Sequence, residues 1–435
     1  MWAARSSRLS DLVTDDPTPW IARARKSGQA YPWGDAQTKK NRQMKKITAD
    51  RVHTVSGDVL RDVVVVVDDF GKIEAILPMG DMDNTDVMVL DGDLVPGFVN
   101  AHCHLELSHM KGLAKTGTGL LAFLKKVVNF RDFPQEVILD AIEKADREMY
   151  DNGIMAVGDI SNKTDSFAVK AFSKMRYFTF VEFFNLMQDE WNQSTWSQYI
   201  DVYKKAPNKQ GHKRSCVPHA PYSVSRQLFE KLRDADLHDG SVSIHNQETP
   251  AENELFVKGT GDFHDFFRSF GLSIDDFEPT GQRAIHYAMT YMNPDVRTLM
   301  VHNTTSTEED ILAAMTWSPH TYWVTCPNAN LYIENQLPRY EQFIKTGATV
   351  CIGTDSLTSN WQLSIFEEMK TILRYQSFLT FEQVLQWATL NGAKALGYND
   401  TLGSIEVGKR PGLLHLNRKR EESTNLEGVT CRRIV

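Results

Sequence analysis

The sequence predicts an α/β protein: a (β/α)8 TIM barrel with a small β-sandwich domain built from the segments before and after the barrel. Three observations carry that expectation. Short apolar runs alternate with longer amphipathic stretches between about residues 95 and 400. β-like text flanks that region on both sides. Residues able to ligate a metal recur where the apolar runs end.

The bulk numbers set the frame. A chain of 435 residues is long enough for one large enzyme domain and an accessory domain. With 48 Lys+Arg against 56 Asp+Glu the formal charge is 48 − 56 = −8, and no basic stripe offers a nucleic-acid footprint. A small-molecule substrate is therefore the expected partner. Five cysteines lie scattered without a C-x-x-C pair, which argues against disulfides and thiolate metal sites and fits a reducing compartment. No apolar run approaches the ~20 residues of a membrane span, and no apolar signal-peptide core opens the chain, so a cytoplasmic location without membrane contact is expected.

Residues 1–43 are polar, carry Pro17, Pro19 and Pro32 and show no sustained period, so they read as an N-terminal extension or as the result of an upstream start codon. Residues 44–94 form the first part of the expected sandwich. There a valine-rich run from Asp62 to Asp68 and the segment Ile73–Leu77 flank a turn at Asp68-Asp69-Phe70-Gly71-Lys72.

The barrel is expected over 95–400. Its eight strands are read at Leu94–His104, Ile154–Ile160, Tyr177–Phe184, Arg214–His219, Ser241–His245, Thr298–His302, Thr321–Cys326 and Thr349–Asp355. Helical text separates most of them, as at Glu136–Asn152, Ser225–Leu237, Thr307–Thr316 and Phe381–Leu396. Eight such units match the ~250-residue size of a (β/α)8 barrel. A doubly wound sheet is the alternative, but it would gather its reactive residues at one crevice rather than end separate strands with them. The second part of the sandwich is expected over 401–435, beginning with Ser404-Ile405-Glu406-Val407-Gly408-Lys409.

Barrel enzymes place their chemistry at the C-terminal ends of the strands. The first run ends His102-Cys103-His104, where the period of two turns both imidazoles to one face and Cys103 to the other. The fifth ends at His245, the sixth at His302 and the eighth at Asp355. Taken singly, each reads as a core histidine or a helix cap; their joint alignment with strand ends points to a metal. An imidazole and carboxylate set without thiolate suits one divalent ion, zinc ahead of iron(II), and such an ion makes hydroxide available near neutral pH. Glu248, three residues beyond His245, can reach back over the ion and carry a proton to a leaving group. Glu106 and His109 lie past the strand and stay outside the metal shell.

Several segments together resemble the amidohydrolase superfamily, in its cytosine/adenosine deaminase-like branch with S-adenosylhomocysteine deaminase, aminodeoxyfutalosine deaminase and triazine hydrolase relatives. They are Val95-Pro96-Gly97-Phe98-Val99-Asn100-Ala101-His102-Cys103-His104, Pro218-His219-Ala220-Pro221-Tyr222-Ser223, His245-Asn246-Gln247-Glu248-Thr249, Val301-His302-Asn303, Cys326-Pro327-Asn328-Ala329-Asn330 and Gly353-Thr354-Asp355-Ser356. The resemblance runs from Met44 through nearly the whole chain. It implies metal ligands at His102, His104, His245 and Asp355, catalytic roles for Glu248, His302 and Asp355 at the hydrolytic water, and substrate contact for His219. The fourth strand ends without the lysine that bridges two ions in dinuclear relatives, which implies a single ion. The implied activity is hydrolysis of a non-peptide C–N bond, foremost deamination of an amino-substituted purine nucleoside-like heterocycle. A ring-amide hydrolase or chlorohydrolase with the same site is the alternative; a catalytically idle metal-binding protein is the alternative from another class. A homodimer through barrel helices is the implied assembly. Lys409-Arg410-Pro411-Gly412-Leu413-Leu414 departs from the family's usual continuation, and the loop Leu105–Gly112 from that of its best-known deaminases.

Overall fold

In the computed structural model, residues 44–81, 85–419 and 426–435 are described; the extension expected over residues 1–43 lies outside them. The first five strands are β1 (Lys45–His53), β2 (Val59–Leu60), β3 (Val63–Val67), β4 (Ile73–Pro78) and β5 (Val87–Pro96). β3 is five consecutive valines, whose branched side chains suit a pleated surface. The turn after it forms as expected. Asp68 Oδ1 accepts from the backbone N–H of Phe70 (2.8 Å) and Lys72 (2.9 Å), and Gly71 supplies the positive φ that reverses the chain.

Eight further strands follow: β6 (Phe98–Cys103), β7 (Ile154–Ser161), β8 (Arg176–Phe183), β9 (Lys213–Pro218), β10 (Ser241–Asn246), β11 (Arg297–His302), β12 (Thr321–Thr325) and β13 (Val350–Ile352). Each matches one of the eight runs read from the sequence. They form two four-stranded parallel sheets, β6-β7-β8-β9 and β10-β11-β12-β13. Parallel strands covered on both faces are mostly apolar, and β6 and β7 are buried at every residue, with Asn100, His102, Asp159 and Ser161 their polar members. Helices alternate with the strands, among them Gln135–Asp151, Arg226–Ala235 and Glu308–Trp317, the last opened by a capping box between Thr307 and Asp310.

Hydrogen bonds join the two sheets at both seams. His245 N donates to His219 O (2.9 Å) between the ends of β9 and β10. Thr354 N and Asp355 N both donate to His102 O (3.0 Å each) between the ends of β13 and β6, and Asn100 Nδ2 donates to Thr354 Oγ1 (2.8 Å). Gly353 allows that second approach, because a Cβ there would sit 2.9 Å from His102 N, O and Cβ.

The last strands, β14 (Leu413–Leu416) and β15 (Cys431–Arg433), return to the first group. β14 runs antiparallel to β5 (Leu413↔Pro96), giving the order β15-β14-β5-β1-β3-β4 with β2 on β1. Residues from both ends of the chain thus share one seven-stranded sheet, where two packed sheets were expected. The ten residues of β5 are long enough to pair with β1 on one edge and β14 on the other. The segment 404–409, read as a strand, is a turn instead. It bonds to Thr54 O through Ile405 N (3.0 Å) and exchanges two hydrogen bonds with Ile73 at the start of β4, Gly408 N to Ile73 O (2.8 Å) and Ile73 N to Lys409 O (2.9 Å), without extending into a ladder.

The helix expected at Phe381–Leu396 is interrupted by a π-turn at Trp387–Asn391. Thr389 Oγ1 donates to Leu385 O (2.6 Å), and Asn391 Nδ2 reaches Val350 O (2.8 Å). The extra residue in the turn lets the helix meet the base of β13. Among the described residues no helix is long and apolar enough to cross a membrane.

Candidate metal centre

The strand ends of both sheets open into one cleft of about 930 Å³. His102 and His104 emerge from β6 on one face, as the period of two requires, while Cys103 turns into the core. The Nε2 atoms of the imidazoles converge: His104 Nε2 lies 3.1 Å from His102 Nε2 and 3.2 Å from His245 Nε2. Asp355 Oδ1 lies 3.4 Å from His104 Nε2 and 3.7 Å from His102 Nε2. A tetrahedral ion with ~2.0–2.1 Å metal–nitrogen bonds has ligand-to-ligand edges of roughly 3.3–3.4 Å. The distances from His104 Nε2 to the other three donors, 3.1 to 3.4 Å, lie close to that edge, so the residues present fit a divalent ion.

Protonation favours the same use. Burial lowers the imidazoles of His102, His245 and His302 and pushes His104 down to about 3, so they remain neutral with lone pairs to offer. Burial alone would raise Asp355, but the His102 hydrogen bond and the neighbouring imidazoles hold it well below the ordinary carboxylate range. Ser359 Oγ donates to its Oδ2 (2.5 Å), which leaves Oδ1 for the cluster. His245 Nδ1 lies 3.0 Å from His219 O; a carbonyl can only accept, so Nδ1 carries the proton and Nε2 faces the centre.

Glu248 and His302 stand beside the four donors. Glu248 Oε2 lies 3.7 Å from His302 Nε2, and its buried Oε1 has no hydrogen-bond partner. Burial, then the charge of Asp355, push Glu248 well above the usual carboxylate range, as suits a group that holds and releases a proton. Its backbone is pinned on both sides. Glu252 accepts from Gln247 N and Glu248 N (3.1 Å each), and Thr304 Oγ1 donates to Glu248 O (2.6 Å). His302 and Asp355, whose side chains line the cleft, adopt positive φ (74° and 57°), as does Gln247 (47°) next to Glu248.

His219 lines the cleft and holds Ser223 Oγ with Nδ1 (2.6 Å), leaving Nε2 free to meet a ligand. The structure therefore gathers every site residue read from the sequence around one point. Glu106 and His109 stay apart, as expected. Glu106 pairs with Arg131 (3.0 Å) and His109 Nε2 meets Arg131 O (2.9 Å).

Sequence reasoning missed Glu182, Asn330 and Glu252. Glu182 is the penultimate residue of β8, buried and pushed up by burial to about 8. Its signal was present: a lone carboxylate in the run Tyr177–Phe184, whose other residues are apolar but for Thr179. Asn330 and Glu252 act through partners distant in sequence or through backbone N–H groups, which leave no periodic trace.

The chain is similar to known proteins over most of its length. A family model described as "Amidohydrolase family" matches residues 94–435. An adenosine deaminase of Helicobacter pylori is 27% identical over 362 residues, covering 80% of this chain and 87% of that protein. The crystal structure of H. pylori aminofutalosine deaminase in complex with methylthio-coformycin superposes with a TM-score of 0.74 at 24% identity, covering 90% of this chain and 100% of that one. That of a Xanthomonas campestris adenosine deaminase with bound zinc gives 0.69 at 26% identity, covering 86% and 84%.

Proposed function

The chain belongs to the amidohydrolase family, and on that premise we propose that it is a metal-dependent hydrolase that deaminates an amino-substituted, purine nucleoside-like heterocycle. The observation that carries this reading is the convergence of His102 Nε2, His245 Nε2 and Asp355 Oδ1 to within 3.4 Å of His104 Nε2, with the open carboxyl oxygen of Glu248 beside them.

His102, His104, His245 and Asp355 would hold one divalent ion, zinc ahead of iron, which when bound supplies Lewis acidity and hydroxide at neutral pH. Glu248 takes the proton of the attacking water and delivers it to the heterocycle as oxygen bonds to the amine-bearing carbon. The same carboxyl then carries the proton of the added hydroxyl to the amine, so that the C–N bond breaks as the C=O bond forms and nitrogen leaves as ammonia. His302, through Nε2, and Asp355 orient the attacking oxygen. His219 meets the ring with Nε2. Leu107, Phe123, Leu124, Phe266 and Phe267 line the outer cleft with apolar surface that suits a planar heterocycle and keeps bulk water away.

We read the two four-stranded sheets as the halves of one (β/α)8 barrel over 95–400, with 44–94 and 401–435 forming an accessory β-domain. Five free cysteines suit the reducing cytoplasm.

The test is metal content followed by ammonia release across aminopurine nucleosides, free aminopurines, aminopyrimidines and chlorotriazines. One ion per chain, with ammonia released from aminopurine nucleosides and abolished by a chelator, is expected. Chloride release without ammonia would replace the deaminase reading with a chlorohydrolase.

A further inference from the structure

Among the described residues, three carboxyl side chains line the cleft: Glu248, Asp355 and Glu182. The first two have work at the centre. Glu182 is 3% exposed, and its Oε1 has no hydrogen-bond partner. The nearest donor, His245 Nδ1, is 3.4 Å away and already directed at His219 O. Oε2 has only a long contact from Asn162 Nδ2 (3.4 Å), which also donates to the Glu182 carbonyl (3.0 Å). Arg131, the cation in the cleft wall, is ion-paired with Glu106 (3.0 Å), whose other oxygen accepts from the backbone of Asn162 and Lys163 (3.0 Å each).

Elsewhere in the cleft the polar groups away from the metal donors are largely engaged. Ser223 Oγ is taken by His219 Nδ1, and Ser356 Oγ by Ser359 Oγ (3.0 Å). Phe184 and Leu186, just past Glu182, add apolar wall. Outside Glu248 and His219, which the reaction already uses, the open oxygen is Glu182 Oε1, near the end of β8, with Asn162 beside it just past β7.

We propose that Glu182, flanked by Asn162, reads a hydroxyl group of the substrate, so that a hydroxylated nucleoside is selected over a free base or a deoxygenated analogue. The inference rests on the deaminase reading and narrows it. A buried carboxyl oxygen without a partner is unfavourable, and a ligand group that bonds to it recovers that free energy. A hydroxyl both donates and accepts, so it pairs with the carboxyl in either protonation state. Sites built to bond a substrate hydroxyl discriminate strongly against analogues lacking it, because their own polar group is left bare.

The competing role is orientation of His245 through Nδ1, and the experiment separates the two. The metal-loaded protein, Glu182→Gln and Glu182→Leu are titrated with purine riboside and its 2′,3′-dideoxy counterpart, neither of which carries an amine to release. Metal per chain is measured alongside. The wild-type chain is expected to favour the riboside by about tenfold or more. Glu182→Gln, which keeps a hydrogen-bonding head, retains part of that preference, and Glu182→Leu reduces it to within about twofold with the ion still bound. Where Glu182→Leu does not fold, Asn162→Ala carries the test and is expected to lower the same preference.

An unaltered preference in these variants, or no riboside preference in the wild type, overturns the proposal. So does an equal loss of affinity for both ligands together with loss of metal, which would make Glu182 a support of His245. Failure of the deaminase reading shows separately, as riboside preference without ammonia release from any aminopurine.

Discussion

Asn330 Oδ1 lies 2.9 Å from His302 Nδ1, which sets the tautomer of that ring. An amide oxygen can only accept, so Nδ1 carries the proton and Nε2 presents its lone pair toward Glu248, 3.7 Å away. The positive φ of His302 aims the ring; Asn330 decides which nitrogen is basic. Asn330→Ala is expected to lower kcat by about 10–100-fold while the ion stays bound, because such orienting partners contribute on that scale. Parallel measurement of kcat and metal content checks it, and an unchanged kcat would discard the assignment.

Glu248→Gln keeps the shape of the side chain and removes its ability to take up a proton. The backbone clamp by Glu252 and Thr304 does not depend on that head group. Turnover is expected to fall by about 10²–10⁴-fold with metal content unchanged. Wild-type rates in this variant would remove Glu248 from the proton path.

Gly353 marks the seam where β13 meets β6. An added methyl would meet the backbone of His102 at 2.9 Å, and neither strand has a flexible end there to yield. Gly353→Ala is expected to part His102 from Asp355, whose N–H groups and donors bridge that seam, and to leave the purified protein with well under one ion per chain. Elemental analysis decides, with full occupancy as the contrary result.

Glu368 is buried behind the site and accepts from Asn328 N (2.8 Å), Asn328 Nδ2 (3.0 Å) and Asn360 Nδ2 (2.8 Å). Burial pushes it from the ordinary 4.5 up to about 8, against the pull of those donors. Below about pH 4.5 the carboxyl is protonated in the folded and unfolded chain alike. Between there and about 8 the unfolded chain gives up its proton while the folded one keeps it, so this group's contribution to stability falls as pH rises. Glu368→Gln lacks that dependence. Thermal unfolding of the metal-free proteins from pH 5 to 8 is expected to show Tm shifting in the variant's favour as pH rises; a gap that does not change with pH would contradict it.

Much of this was legible in the chain itself. A parallel strand buried on both faces has to be written as a continuous apolar run, which is why Ile154–Ile160 and Thr298–His302 coincide with β7 and β11 to within one residue at either end. His102 and His104 share a face because an extended chain alternates, whatever surrounds it. The segment 404–409 misled for the complementary reason. Its alternation of apolar and polar residues is genuine, but it meets Thr54 through one hydrogen bond and β4 only at Ile73, too short a contact for a ladder.

The amino-acid order by itself determined the element types, the residues that end each strand and hence the inventory of donors, because those depend on side-chain periodicity over a few residues. Tertiary structure alone decided that Nε2 of His104 stands 3.1 and 3.2 Å from its two neighbours, that Asn330 selects the tautomer of His302, and that Glu182 keeps an oxygen open to the cleft. Those relationships join residues as far apart as His104 and His245. Hydrogen-bond direction and burial between such distant segments are settled only when the strand ends pack side by side, since no local preference reaches across 141 residues.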